Sequence, residues 1–536
     1  MERRWHETSK PSTLLLLIPL LLVLAAVVWV VSTTPSRKLT NTVTGRSGHW
    51  MDLLARPLAA LALGVAIVIV VAAVHRWWVR RPAANRRRFM TARGWQPRPK
   101  NNPNSPKGVT DRLHFILPTT PRPTVASASV ELGTDASGRP FLLTCDESML
   151  VVGPPGSGKD RRLAIPLLDS WPGPALATST KVDLATATLS ARSRRGPVAV
   201  FDPAGFGLAG SDAIRWNPVM GCRDRDVAAR RAAAIIAGGT PSMSEQFWSV
   251  AATRVLRGCL LAAAYSTESV LDAGRWSTSA GGWIAAAEIL SANGEDEWAA
   301  QLTTDANLDP RTSSSIVATL TTTMIGLSNA RLRDAMAPSG QQTDPATILA
   351  SGGTIYAVAP AEPDSHLVFR PWTTLLASEV AAVLREQARG ARLEPPALLL
   401  LNELVHVCPL PELPGLLADG RGQNIATVAI VQDPAQLAAR YSPDDARAIT
   451  GAAQHRLLLS TNGEETAREW SDLIGTYHVA TKSTTHKTMH LAAESASTSH
   501  DQRPILPPHE LRYLPYGCAV MLPRGFPPLP LHLRGT

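Results

Sequence analysis

One segment of the chain carries residues at spacings that could do phosphate chemistry. In Ser148-Met-Leu-Val-Val-Gly153-Pro154-Pro155-Gly156-Ser157-Gly158-Lys159-Asp160 an apolar run leads straight into GxxxxGK, and helix-compatible residues, Arg161 to Leu168, follow. Glycines let backbone N–H groups curl around phosphate oxygens, a helix N-terminus adds positive potential, and a lysine neutralises charge on the outer phosphates. Gly153, Pro154, Pro155, Gly156, Ser157, Gly158, Lys159 and Asp160 are therefore the expected nucleotide-binding residues, with ATP and Mg²⁺ as the expected ligands. Asp160 departs from the pattern, which has Ser or Thr there to bind Mg²⁺. A carboxylate at this point repels a triphosphate unless it ligates Mg²⁺ or caps the helix, and the sequence leaves these alternatives open.

A second segment, Ala397-Leu-Leu-Leu-Leu401-Asn402-Glu403, reads as a buried strand ending in polar residues. Phosphate-loop ATPases hold an acidic pair at such a strand end: the first acid organises Mg²⁺ and the second polarises the attacking water. Glu403 is placed to be the second acid. Asn402 stands where the first would be; its amide can hold a metal-bound water but supplies no charge. Asp160 and Asn402 are thus the two expected metal-site residues, and Asp160 could restore the carboxylate that Asn402 lacks.

The elements that must position these residues are legible from their texture. Short apolar runs at 148–153, 197–201, 354–358, 397–401, 425–431 and 456–459, several followed by helix-like stretches, predict a parallel α/β sheet. Between about Cys222 and Pro345, alanine-rich segments with apolar residues at helical spacing replace the strand signals. The expected organisation is a phosphate-loop nucleotide-binding domain over 124–222 and 346–536, interrupted by an all-α insertion over 223–345. Residues 96–123, rich in Pro, Asn and basic residues, read as an extended linker. Trp171-Pro-Gly and Trp216-Asn-Pro read as loop-packing motifs.

Two apolar runs, Leu14–Val31 and Leu58–Val74, predict a two-span membrane anchor within residues 1–95. Arginines and tryptophans after the second run, Arg76 to Arg93, put that side in the cytoplasm. The expected protein is then multi-pass in the cell (cytoplasmic) membrane, with both termini and the soluble body inside. The net charge of +9 is uneven: residues 1–130 hold 19 Lys/Arg against 4 Asp/Glu, a net of +15, which leaves 34 basic and 40 acidic residues, a net of −6, in the rest. The basic surplus thus marks a membrane-proximal face beside anionic lipid and argues against a generic nucleic-acid-coating surface. DNA contact would fall to local basic loops lining a pore, with Arg192, Arg194, Arg195, Arg230 and Arg231 as candidates. Five scattered cysteines without a CxxC pair argue against a disulfide scaffold or a zinc module.

These motifs, in this order, resemble those of the coupling ATPases of type IV secretion and bacterial conjugation. The carriers are Gly153–Lys159, Ile165-Pro-Leu-Leu-Asp-Ser-Trp-Pro-Gly173, Phe201-Asp-Pro203, Trp216-Asn-Pro218, Leu401-Asn-Glu-Leu404, Leu410-Pro411, Gly420-Arg421-Gly422, Gln432, Glu465-Thr-Ala467 and Arg503-Pro-Ile-Leu506. The resemblance implies a RecA-type phosphate-loop NTPase with an all-α insertion, preceded by two transmembrane helices and assembled as a homo-hexamer. It implies an ATP hydrolase that delivers single-stranded DNA with its relaxase or relaxosome, or protein substrates, to the components of a type IV secretion channel at the inner membrane. By the same resemblance Lys159 binds phosphate, Glu403 activates water and Gln432 senses the γ-phosphate, while Arg421 reaches into a neighbouring subunit's site. The altered Asp160/Asn402 pair leaves a second reading, a catalytically weak nucleotide-binding receptor or scaffold of the secretion apparatus; a third reading is a double-stranded DNA translocase, which would normally carry more spans and a C-terminal winged-helix reader.

Overall fold

The computed structural model describes residue 68 and residues 82–99, 101–208, 212–239, 246–266, 269–337, 340, 342–360, 363–484 and 496–535. The chain divides into two compact units, Met1–Arg88 and Phe89–Thr536. The expected spans, 14–31 and 58–74, lie outside the described residues but for Val68, which is helical. Among the described residues, Leu367–Gln387 is long and apolar enough to cross a membrane, but 78% of its apolar window is buried inside the second unit. It is a core helix.

The second unit is built on a 12-stranded sheet. In chain order the strands are β1 (Ser129–Thr134), β2 (Pro140–Thr144), β3 (Met149–Val152), β4 (Ala175–Ser179), β5 (Val198–Phe201), β6 (Asp212–Ala213), β7 (Thr354–Val358), β8 (Ala397–Leu401), β9 (Ile425–Val431) and β10 (His455–Leu458). A separate antiparallel hairpin, β11 (Thr476–Thr484) with β12 (Ala496–Pro504), comes next, and β13 (Cys518–Pro523) and β14 (Leu529–Leu533) complete the sheet. The spatial order is β2-β1-β14-β13-β10-β3-β9-β8-β4-β7-β5-β6. From β10 to β6 every pairing is parallel; from β10 to β2 every pairing is antiparallel. The central strands β3, β8 and β9 are buried at every position, which is why their sequences are unbroken apolar runs. Because they are parallel and adjacent, their C-terminal ends open on one edge, where the chemistry-bearing residues follow.

Between β6 and β7 every described element is a helix, from Arg225–Gly239 to Pro345–Ala350. Their starts are written in the sequence: Ser269, Ser279, Asp309, Asn329 and Asp344 each accept a backbone N–H of the first helical turn. These helices share one apolar core with a face of the sheet, through Trp372, Leu375 and Val380 of helix Pro363–Gln387. The packing thus joins what the sequence divides at 223 and 345.

Residues 96–123 are not an extended linker. Pro106–Thr110 and Leu113–Ile116 are short helices, the first capped by Ser105 with Pro106 in its opening turn. Val109, Leu113, Ile116 and Leu117 close a small core with Ala128 and Leu142. The buried Asn104 side chain donates to Leu142 O at 2.9 Å and to Glu147 Oε2 at 2.7 Å. Prolines suit helix starts as well as linkers, and buried asparagines pair with the strands they cross. The five cysteines are buried and form no disulfide.

Candidate functional site

The phosphate loop leaves β3 at Gly153, whose N–H donates to Val431 O of β9 at 3.0 Å. Gly156 and Gly158 adopt φ of +82° and +90°, a region open to glycine and strained for other residues. After Lys159 the chain makes a π-turn, Asp160–Ala164, closed by Ile165 N–H donating to Asp160 O, before helix Ile165–Ser170. Pro166 explains the wide turn: it has no N–H to return to Arg162, so an α-helical register cannot run through this position.

The expected nucleotide and catalytic residues of the two motifs converge here. Lys159 Nζ lies 2.6 Å from Glu403 Oε1, and Gln432 Nε2 donates to Glu403 Oε2 at 2.8 Å. Asn402 Nδ2 donates to Asp160 Oδ1 at 2.9 Å. Thr178 Oγ1 of β4 donates to Asn402 O, pinning the strand end. Glu403 itself sits at φ +55°, ψ +42° as the first residue of the turn into helix Leu404–Val407. A left-handed non-glycine residue costs on the order of 1–3 kcal/mol, and such strain collects at working sites. Burial alone would raise the Glu403 carboxyl; the Lys159 ammonium and the bonds from Lys159 and Gln432 outweigh it and hold Glu403 below the usual carboxylate range. It is ionised at neutral pH and buried, as a group that polarises water must be.

Two polar atoms in this cluster, Ser157 Oγ and Asn402 Oδ1, are buried without a protein partner. Buried polar atoms are normally paired, so these two mark unfilled valence at the loop. With the open glycine cradle they fit phosphate oxygens and a hydrated cation. Among the described residues no group of three or more His, Cys, Asp or Glu could hold a metal. A cation here would therefore rest on Asp160, the Asn402 side-chain oxygen, phosphate oxygens and water, a sparse protein share of the kind Mg²⁺ commonly takes.

Arg421 is not part of this cluster. It closes helix Leu413–Gln423, with Nε 3.2 Å from Asp146 Oδ2 and its side chain 42% exposed. Asp146 precedes β3 whereas the loop follows it, so Arg421 stands at the opposite edge of the sheet, roughly five residues at about 3.3 Å each away. Within one chain it cannot reach the loop lysine.

Two of the arginines offered as DNA contacts are excluded by their surroundings. Arg192 is fully buried and donates to Leu168 O, Trp171 O, Gly173 O and Thr354 Oγ1. Arg231 is buried against Glu379, and Arg230 shares that carboxylate. Arg194 and Arg195 stay exposed. The tryptophan motifs do pack: Trp171 Nε1 donates to Pro396 O at 2.9 Å, and Trp216 lies under the Arg231 guanidinium, 4.9 Å from the ring centre.

Sequence reading missed the support behind Gln432. Gln436 Oε1 accepts the Gln432 backbone N–H at 3.1 Å, and Gln436 Nε2 lies 3.2 Å from His406 Nε2. The four-residue spacing of the glutamines was the available signal.

A family model for type IV secretory system conjugative DNA transfer matches residues 119–533. Protein VirD4 of Agrobacterium fabrum and Protein VirD4 of Rhizobium rhizogenes are each 24% identical over 169 residues, 32% of this chain. The match spans about a quarter of these curated relatives, 25% of their length. Among solved structures, the fold is similar to the bacterial conjugative coupling protein TrwB in unbound form, with TM-score 0.57 and 15% identity, covering 75% of this chain and 88% of that one. It is similar to TrwB in complex with ADP and Mg²⁺, with TM-score 0.54, 16% identity and coverage of 76% and 89%. A TrwB complex with a non-hydrolysable GTP analogue gives TM-score 0.53, 17% identity and coverage of 73% and 86%. At these identities the likeness is one of fold.

Proposed function

The chain belongs to the type IV secretory system conjugative DNA transfer family, and from that premise we propose that it is a membrane-anchored coupling ATPase. It binds ATP with Mg²⁺ and drives relaxase-bound single-stranded DNA, or protein substrate, into a type IV secretion channel. The observation that carries this reading is the convergence of Lys159, Glu403 and Gln432 at adjacent strand ends.

Lys159 now spends its charge on Glu403. An arriving phosphate chain takes over Lys159 and releases the carboxylate, which is then free to orient water for in-line attack; Gln432 swings with it to report the outer phosphate. Mg²⁺, when bound through Asp160 and the Asn402 side-chain oxygen, supplies charge neutralisation on the phosphates. Arg421, at the far edge of the sheet, serves the loop of a second copy in a homo-hexamer. The +15 segment holds the motor at the cytoplasmic face of the inner membrane.

The test is Mg²⁺-dependent ATP hydrolysis together with transfer of a nicked plasmid between cells, for wild type, Lys159→Ala and Glu403→Gln. Both activities should vanish in both variants while the proteins stay folded. Transfer that survives Glu403→Gln would leave the nucleotide-binding receptor as the reading, with turnover dispensable.

A further inference from the structure

A nucleotide has a base as well as phosphates, and the phosphate loop offers nothing flat for it. We propose that Tyr516, backed by Arg162, is the stacking platform for the base of the bound nucleotide. The proposal rests on the nucleotide reading above and deepens it.

The topology brings Tyr516 to the loop. It lies just before β13, which runs antiparallel to β10; β10 in turn runs parallel to β3, with Leu458 level with Val520 on one side and with Val152 on the other. The turn that enters β13 therefore sits at the same sheet edge as the phosphate loop. The contact is close. A Cβ built on Gly158 would lie 2.8 Å from Cε2 and 3.3 Å from Cζ of Tyr516. The last glycine of the loop is thus glycine for two reasons: its φ of +90° and the ring edge lying over it.

The ring is held from one side. The Arg162 guanidinium carbon is 5.0 Å from its centroid, a cation–π distance. Arg162 is one turn beyond Gly158, to whose carbonyl its own N–H donates at 2.8 Å. Gly517, next to Tyr516, adopts φ of +78°, a region that favours glycine, and its Cβ position lies in ordinary contact distance of Arg162 Nε, at 3.4 Å. Yet Tyr516 remains 56% exposed, while its neighbours Leu511 and Cys518 are buried. The short segment that anchors itself with Leu511 and Cys518 presents an aromatic ring to solvent, directly above a phosphate cradle.

A nucleotide whose phosphates fill the loop projects its ribose and base past the start of the following helix, where Arg162 and Tyr516 stand. Stacking on a free aromatic face reads a π-surface and no base edge, so it tolerates either purine. The subsite therefore takes a purine nucleoside triphosphate without choosing between adenine and guanine.

The experiment is binding by the full 536-residue chain of three probes with Mg²⁺: a non-hydrolysable ATP analogue, a non-hydrolysable GTP analogue and inorganic tripolyphosphate. Tyr516→Ala should weaken both purine analogues by about tenfold, the scale of one lost base–aromatic stack. It should leave tripolyphosphate unchanged, and Tyr516→Phe should bind all three like wild type. Unchanged analogue affinity in Tyr516→Ala, or an equal loss for tripolyphosphate, would overturn the platform and make Tyr516 a loop-packing residue. If wild type binds none of the probes, or Lys159→Ala does not weaken tripolyphosphate, the nucleotide reading itself falls and takes the platform with it. Thermal melting of each variant separates a lost contact from a lost fold.

Discussion

Two of the unit's buried carboxylate–cation pairs differ in build. At the phosphate loop a lysine meets Glu403 through one contact of 2.6 Å. Between helices Arg225–Gly239 and Pro363–Gln387, Arg231 clasps Glu379 with two, Nε to Oε2 at 3.0 Å and Nη2 to Oε1 at 2.7 Å. Arg231 also donates to Pro218 O and Met220 O and lies over Trp216, and Arg230 adds a third bond to Glu379 at 2.8 Å. A guanidinium fork with nearly every donor used is a rivet; an ammonium on a flexible stem beside orphaned oxygens is a latch. The difference teaches which buried pair is built to stay closed and which is built to open for a ligand.

The sharpest way to break that contrast is to neutralise each carboxylate without changing its shape. Glu403→Gln should cut hydrolysis by about 10²–10⁴-fold, the range for a lost general base, and keep or tighten nucleotide binding because Lys159 is released. Glu379→Gln should leave turnover per folded molecule intact but destabilise the fold by about 3–5 kcal/mol, the cost of stranding a buried charge. Hydrolysis rates and chemical-denaturation midpoints on the same samples decide it. If the two variants lose stability equally, or Glu379→Gln loses turnover, the latch and rivet are not distinct.

A smaller effect comes with pH. Burial would raise the Glu379 carboxyl, but the bonds and charges of Arg231 and Arg230 hold it below the usual range, and the same pair pushes Arg231 up. A carboxyl whose folded pKa is depressed stabilises the fold fully above its unfolded value, about 4.3, and loses that contribution as pH falls through the folded value. Wild-type melting temperature should therefore drop on acidification below about pH 4.5, where Glu379 and Glu403 begin to bind protons on unfolding. Glu379→Gln should melt lower at pH 7 and show a shallower acid limb. An acid limb of unchanged slope in that variant would remove Glu379 from the account.

The same contrast separates what the sequence displays from what only the fold brings together. β3, β8 and β9 were legible because strands buried on both faces need unbroken apolar runs, and the loop was legible because its glycines follow one of them. Glu403 followed from its place at a strand end. Arg192 and Arg231 are buried where the sequence suggests free charge, because a sequence displays charge but not its partner: Arg231 meets a carboxylate 148 residues away. The stretch 96–123 reads as a linker and folds into short helices, because prolines that start helices look like prolines that stiffen linkers. Tyr516 carried no local signal; it is 358 residues from Gly158 in sequence, and only the β13–β10–β3 pairing brings them together.

The subtlest prediction lies inside the latch, at the bond between Asn402 Nδ2 and Asp160 Oδ1 of 2.9 Å. An acid, Asp160, stands at the loop and an amide, Asn402, at the strand end, the reverse of the usual motif pattern. If the two positions form one cation site, their substitutions must be non-additive. Asp160→Ser alone should raise the Mg²⁺ concentration for half-maximal hydrolysis several-fold, because Asn402 brings no charge. Asn402→Asp alone sets two carboxylates at hydrogen-bond distance, a repulsion that a bound cation relieves, so the protein should gain more stability from Mg²⁺ than wild type does. Asp160→Ser with Asn402→Asp restores the usual arrangement and should return the Mg²⁺ requirement near wild type, a coupling on the order of 0.5–3 kcal/mol. Should Asp160→Ser leave the Mg²⁺ requirement where it was, Asp160 only caps the turn and orients Asn402, and the cation is held by phosphate and water alone.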